Sequence, residues 1–266
     1  MLKHFFTNQL SLGLAQAVVA TVLALAVMMI ARKREIHLER DILVALVRGI
    51  VQIVAVGSFL VLLLRGPQWT SLFVLSGMIA AAAATSSRRA KGIPGAFEVS
   101  LYAIAFGAGL VIVFMTWAGA IDTRITTLIP VGSMLIANAM NTNSLALNRF
   151  RSEVQANMGL IETGLALGAG SKQTVAPYVQ SSLQASLIPA IDSLRSLGIV
   201  WIPGLMTGML LSGSKPVYAA IYQFVILSMI FAASGLTSLV STLLIRSHAF
   251  SPAEQLTLRP GIKVSQ

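Results

Sequence analysis

Seven apolar runs divide this chain, at residues 10–30, 43–64, 69–84, 99–118, 128–147, 197–211 and 219–245. Six of them hold no charged residue, and the second holds only Arg48. A hydrocarbon layer about 30 Å thick is crossed by roughly 20 apolar residues in a helix. These runs are continuous rather than alternating, so they predict helices and not barrel strands, because a spanning backbone must satisfy its own hydrogen bonds. The expected fold is all-α: a polytopic membrane protein of about seven transmembrane helices. The third and sixth runs are short, and the seventh is long enough to tilt. Composition agrees, with 56% hydrophobic side chains and 11% charged ones, against about 25% charged in a soluble domain.

The connections between runs differ sharply in charge. Arg32, Lys33, Arg34 and Arg40 follow the first run; Arg88, Arg89 and Lys91 the third; Arg149, Arg151, Lys172 and Arg195 the fifth; Arg246, Arg259 and Lys263 the seventh. The alternate connections hold only Lys3, Arg65, Arg124 and Lys215. Basic loops stay on the cytoplasmic side, which predicts an N-terminus outside and a cytoplasmic C-terminus. The net charge of +10 then reflects loops facing an anionic leaflet, not nucleic acid. Ala15-Gln16-Ala17 has the small-x-small form of a signal-peptide cleavage site, but the apolar run continues past it to a basic stop at Arg32-Lys33-Arg34, which favours a retained span. The absence of any linker predicts one transmembrane domain over residues 1–266.

The longest connection, residues 149–196, is where a partner site is expected. Val154, Met158, Ile161 and Leu165 form one amphipathic stripe, and Val175, Val179 and Leu183 a second from about residue 173 to 186. Pro189 is expected to break the chain after that. Such helices also suit a membrane surface. Gly168-Ala169-Gly170-Ser171-Lys172 lacks the spacing and preceding strand of a phosphate-binding loop. If the protein uses ATP, another chain must bind it.

The fifth run is too polar to face lipid. Met134, Asn138, Asn141, Leu145 and Asn148 fall on one side of a helix. Carboxamides there serve either as hydrogen-bonding glue between helices or as the lining of a cavity or conduction path. Gln52 lies deep enough in the second run to join such a path, whereas Arg48 is placed to snorkel. In the sixth run, Pro203 frees a backbone carbonyl, Gly204 and Gly208 make a small-xxx-small packing face, and Met206 and Met209 offer thioethers. Methionine suits soft ions but also ordinary packing, and no carboxylate lies within a run. No metal site is assignable.

Several segments together carry a resemblance. They are Ile129-Pro130-Val131-Gly132-Ser133-Met134 with Asn138 and Ser144 to Arg149, Glu162 to Ala169, Leu187 to Leu194, Pro203-Gly204-Leu205-Met206-Thr207-Gly208, and Ala220-Ile221-Tyr222-Gln223. The chain resembles the FetB/YbbM-type permease subunits of bacterial ABC transporters, implicated in iron export, whose plant relatives are aluminium-tolerance membrane proteins. Two departures are Ser133 and Thr163-Gly164, where that pattern has smaller or more apolar residues. The resemblance implies an inner-membrane exporter built from two copies of this permease and two of a separate cytoplasmic FetA-like ATPase, which holds the ATP and Mg. This chain would itself bind no cofactor. On this reading Glu162, Gly168, Asp192 and Arg195 are expected to serve coupling, and the polar faces described above predict Gln52, Met134, Asn138, Asn141 and Met206 as pathway residues. A permease for a nucleotide-linked sugar or other solute, a secondary carrier without ATP, and a membrane scaffold or intramembrane enzyme are the competing classes. A carrier needs a titratable group at mid-membrane and an enzyme a catalytic constellation, and the runs supply mainly amides.

Overall fold

The computed structural model describes residues 9–32, 39–63, 66–90, 92–250, 255–256 and 258. Lys3, Lys33, Arg34, Arg65, Lys91, Arg259 and Lys263, which carry part of the charge argument, lie outside them. Nine helices form among the described residues, and the chain divides into two compact units, Met1–Gly66 and Pro67–Gln266.

The first unit is a pair of touching helices, α1 (Gln9–Arg32) and α2 (Glu39–Leu63). Leu14, Val18, Leu23, Val44, Val47 and Ile53 are all exposed. Apolar side chains outward on every side are what a lipid-facing helix needs.

The second unit is a bundle of α3 (Thr70–Arg89), α4 (Ala96–Trp117), α5 (Ile125–Ala156), α6 (Met158–Ala166), α7 (Ser171–Ser196), α8 (Gly204–Leu211) and α9 (Pro216–His248). Among the described residues α3, α4 and α9 are long and apolar enough to cross a membrane. In α4 the residues Ala105–Gly109 make a π-helical turn. Gly107 in that turn lets α9 come close, since an added Cβ would lie 2.6 Å from the Thr237 backbone nitrogen.

Two apolar clusters hold the bundle, one toward each end. The first contains Leu75 of α3, Ile112 of α4, Leu135 and Ile136 of α5 and Ile226 and Ile230 of α9, with Leu194, Leu197 and Leu205 packed against it. The second joins Val99, Leu147, Phe150, Val154, Ile161, Val175 and Ile245. So α5 and α9 run in the same direction, from the first cluster to the second, and α7, which starts in the second cluster and ends at the first, runs against both. The first amphipathic stripe lies where expected: Val154 and Ile161 are buried, and Met158 and Leu165 pack on the same cluster.

Two expectations change. Residues 197–211 do not form a membrane-length helix. Gly198 turns at φ +75° and only Gly204–Leu211, eight residues, is helical, a length of about 12 Å. Pro189 does not break the chain either: Ser171–Ser196 is a single helix of 26 residues through Pro177 and Pro189, about 39 Å long. An interior proline costs about 3 kcal/mol. Burial of Val175, Ser182 and Ser186 within the bundle offsets it, since tertiary packing supplies most helix stability in folded proteins.

Candidate functional site

Between the two apolar clusters lies a layer of polar side chains, contributed by five helices. Asn143 of α5, fully buried, donates from Nδ2 to Ser86 Oγ of α3 at 2.7 Å and to Ser100 Oγ of α4 at 2.8 Å. Ser144 Oγ donates to Ser86 Oγ at 3.0 Å. Ser186 of α7 meets Ser238 of α9 at 2.6 Å. Among the described residues, Asn143 Oδ1 and the hydroxyls of Ser234, Thr237 and Ser241 are buried without a hydrogen-bond partner, as is Gln223 Oε1 about two turns from the start of α9. A buried polar atom left unpaired costs about 1–3 kcal/mol. Neutral oxygens retained at that cost mark a place where water or another polar group fits.

Asn138 and Asn141 lie off this layer. Asn138, half-buried, donates from Nδ2 to the Met134 carbonyl of its own helix at 2.8 Å. Asn141 is exposed and accepts from Arg89 Nη1 at 3.1 Å. Asn148 is exposed, and Met134 and Met206 are half-buried. Gln52 and Arg48 are exposed on α2. Sequence reasoning weighed the face of Asn138, Asn141 and Asn148 and missed Asn143. The available signal was the set of small residues Gly132, Ala139 and Ala146, which lie with Asn143 on the buried side of α5. Pro203 is buried, but a Cβ on Gly204 or Gly208 would meet nothing within 4 Å. The close helix approach expected there is not made among the described residues.

The four residues grouped for coupling are separated by the length of α7. Glu162 and Gly168 lie exposed on the elbow between α5 and α7, where Gly168 turns the chain at φ +86°. Leu160 and Leu167 on the same elbow are 69% and 83% exposed, unusually so for leucine beside charged residues. Asp192 and Arg195 lie in the last turns of α7, 4.0 Å apart, at the opposite end. The elbow end also holds Arg88, Arg89, Arg149, Arg151, Lys172 and Arg246, and Arg149 pairs with Glu153 at 2.6 Å. The far end holds Arg124, Arg195 and Lys215.

This arrangement of apolar helices around a polar layer, with one strongly basic end, defines a multi-pass membrane protein. The chain belongs to the Uncharacterised protein family (UPF0014), whose profile matches residues 14–250. It is 32% identical over 260 residues to the "Probable iron export permease protein FetB" of Escherichia coli (strain K12), covering 97% of this chain and 98% of that protein. It is 28% identical to the "UPF0014 membrane protein STAR2" of Oryza sativa subsp. japonica, over 94% of this chain and 88% of the relative. It is also 28% identical to "Protein ALUMINUM SENSITIVE 3" of Arabidopsis thaliana, over 92% of this chain and 90% of the relative. No solved structure matches the chain.

Proposed function

We propose that the chain is the membrane-spanning subunit of an ATP-driven exporter of the inner membrane, moving iron or another metal ion and energised by a separate cytoplasmic ABC ATPase. Two copies would assemble with two ATPase subunits. The FetB relative, matched over nearly its whole length, supplies the permease reading. The observation that carries the coupling is the elbow, residues 157–170, which presents Leu160, Leu167 and Glu162 at the basic end of the bundle. Exposed apolar side chains ringed by charge suit a protein partner.

In this reading α7, not residues 197–211, makes the sixth of seven crossings, and the elbow with the C-terminus is cytoplasmic. The alternation of basic connections is kept, because moving Arg195 outside leaves Arg149, Arg151 and Lys172 inside. Coupling then belongs to Glu162 and Gly168, while Asp192 and Arg195 sit on the outer face. Closure of the ATPase pair would push on the elbow, and α5 and α7 would transmit the movement as rigid rods to the polar layer. Asn138, Asn141 and Met134 border the route along α5, with Met206 as further lining.

The substitution Glu162→Lys tests this. Reconstituted with its ATPase at normal expression, the variant is expected to hydrolyse ATP while losing ion transport. Full transport by the variant would remove Glu162 from coupling, and ion movement by the permease alone without ATP would replace the pump by a carrier.

A further inference from the structure

At the end of the bundle opposite the elbow lies a cavity of about 590 Å³, bordered by Thr116, Asp122, Thr127, Met209, Tyr218 and Tyr222. Its floor is a turn locked after α4. Ala120 N and Ile121 N both donate to the Met115 carbonyl, at 2.9 and 3.1 Å, Gly119 adopts φ +74°, and Ile121 is buried as a plug. Asp122 therefore stands at a fixed place before α5. Its carboxylate accepts from the Arg124 backbone N–H at 3.1 Å and pairs with Arg124 Nε at 3.4 Å. That pair is open to solvent, with side-chain exposures of 50% and 78%, and such pairs are weak and displaceable. Tyr218 and Tyr222 start α9 one turn apart, rings stacked with centroids 6.3 Å apart and planes at 24°, so both phenols share one side of the helix. Thr116 Oγ1 is buried without a partner at the same cavity.

The donors are a carboxylate, two phenols and threonine hydroxyls, with the exposed Arg124 guanidinium paired to the carboxylate. Oxygen donors select hard cations over soft ones. One carboxylate and two phenolates carry three negative charges, which a trivalent ion neutralises, each phenol giving up its proton to solvent as it binds. We propose that Asp122, Tyr218 and Tyr222 bind a hard trivalent cation at the outer end of the bundle. That the site is the port where the cargo leaves rests on the transport function proposed above; the site itself does not.

The test uses the full-length protein in detergent micelles, titrated with iron(III) nitrilotriacetate. The wild type is expected to develop a visible phenolate-to-iron charge-transfer band, and the double variant Tyr218→Phe/Tyr222→Phe to lose it. Asp122→Asn is expected to weaken binding by more than about tenfold, as even supporting residues of metal sites do. Arg124→Gln, which removes the competing cation, is expected to tighten it, an outcome that a purely structural Asp122 would not give. Absence of the band in wild type, or a band undiminished in the double variant, overturns the site. ATP-driven transport without the band leaves the transporter and removes the site; the band without ATP-driven transport keeps the site and removes the pump.

Discussion

Ser186 Oγ and Ser238 Oγ stand 2.6 Å apart, which pins the middle of α7 to α9 inside the bundle. A chain segment that looks like a cytoplasmic loop by composition is thus a core helix of the second unit. The chain has no cysteine, so the relationship is directly testable. The pair Ser186→Cys/Ser238→Cys is expected to form a disulfide on mild oxidation, visible as a mobility shift reversed by reductant, since side chains in contact satisfy the reach of the bond. Neither single variant should shift within one chain.

Asn143 joins three helices, α5 to α3 and α4. Replacing it by alanine removes the donor that Ser100 accepts from and one of the two that Ser86 accepts from, and stability is expected to fall by about 1–3 kcal/mol. The exposed Asn141→Ala is expected to change it by less than about 0.5 kcal/mol. Thermal unfolding in detergent compares the two, and equal effects would reverse the assignment of the buried face of α5.

Gly107 and Gly208 make opposite demands on a methyl group. At Gly107 an added Cβ lies 2.6 Å from the Thr237 backbone nitrogen, and at Gly208 it meets nothing. Gly107→Ala is expected to cost about 1–3 kcal/mol through overpacking. Gly208→Ala is expected to be neutral or to stabilise α8 by up to about 1 kcal/mol. A loss at Gly208 matching that at Gly107 would mean that α8 packs closely on something beyond this chain.

Leu160 and Leu167 stand out from the elbow largely exposed, unlike Leu165, which packs on the second cluster. Leu160→Asp/Leu167→Asp is expected to leave thermal stability nearly unchanged while reducing copurification of the ATPase about tenfold or more, the loss of 1.4 kcal/mol or greater. Undiminished copurification would move the docking surface elsewhere.

The apolar runs revealed five of the long helices because lipid-facing residues carry their environment in their composition. Helices α1, α2, α3, α4 and α9 follow residues 10–30, 43–64, 69–84, 99–118 and 219–245 to within a few residues at most ends. The N-terminal part of α5 was legible too, but not its continuation to Ala156, because Arg149, Arg151 and Glu153 resemble a loop. Helix α7 was misjudged for a physical reason: Gln180, Ser181, Ser182, Gln184 and Ser186 lower its hydropathy, yet several of these hydroxyls are satisfied locally. Ser182 Oγ donates to the Tyr178 carbonyl and Ser186 Oγ to that of Leu183. A hydropathy pattern does not register such pairing. The same blindness hid Asn143, whose partners are 57 and 43 residues away.

Labelling of single cysteines at positions 162 and 195 with a membrane-impermeant maleimide, in intact and in permeabilised cells, addresses the topology on which coupling depends. Glu162→Cys is predicted to label only after permeabilisation and Arg195→Cys to label in intact cells. Labelling of both from the same side would contradict a sixth crossing by α7 and return Arg195 to the face of the elbow.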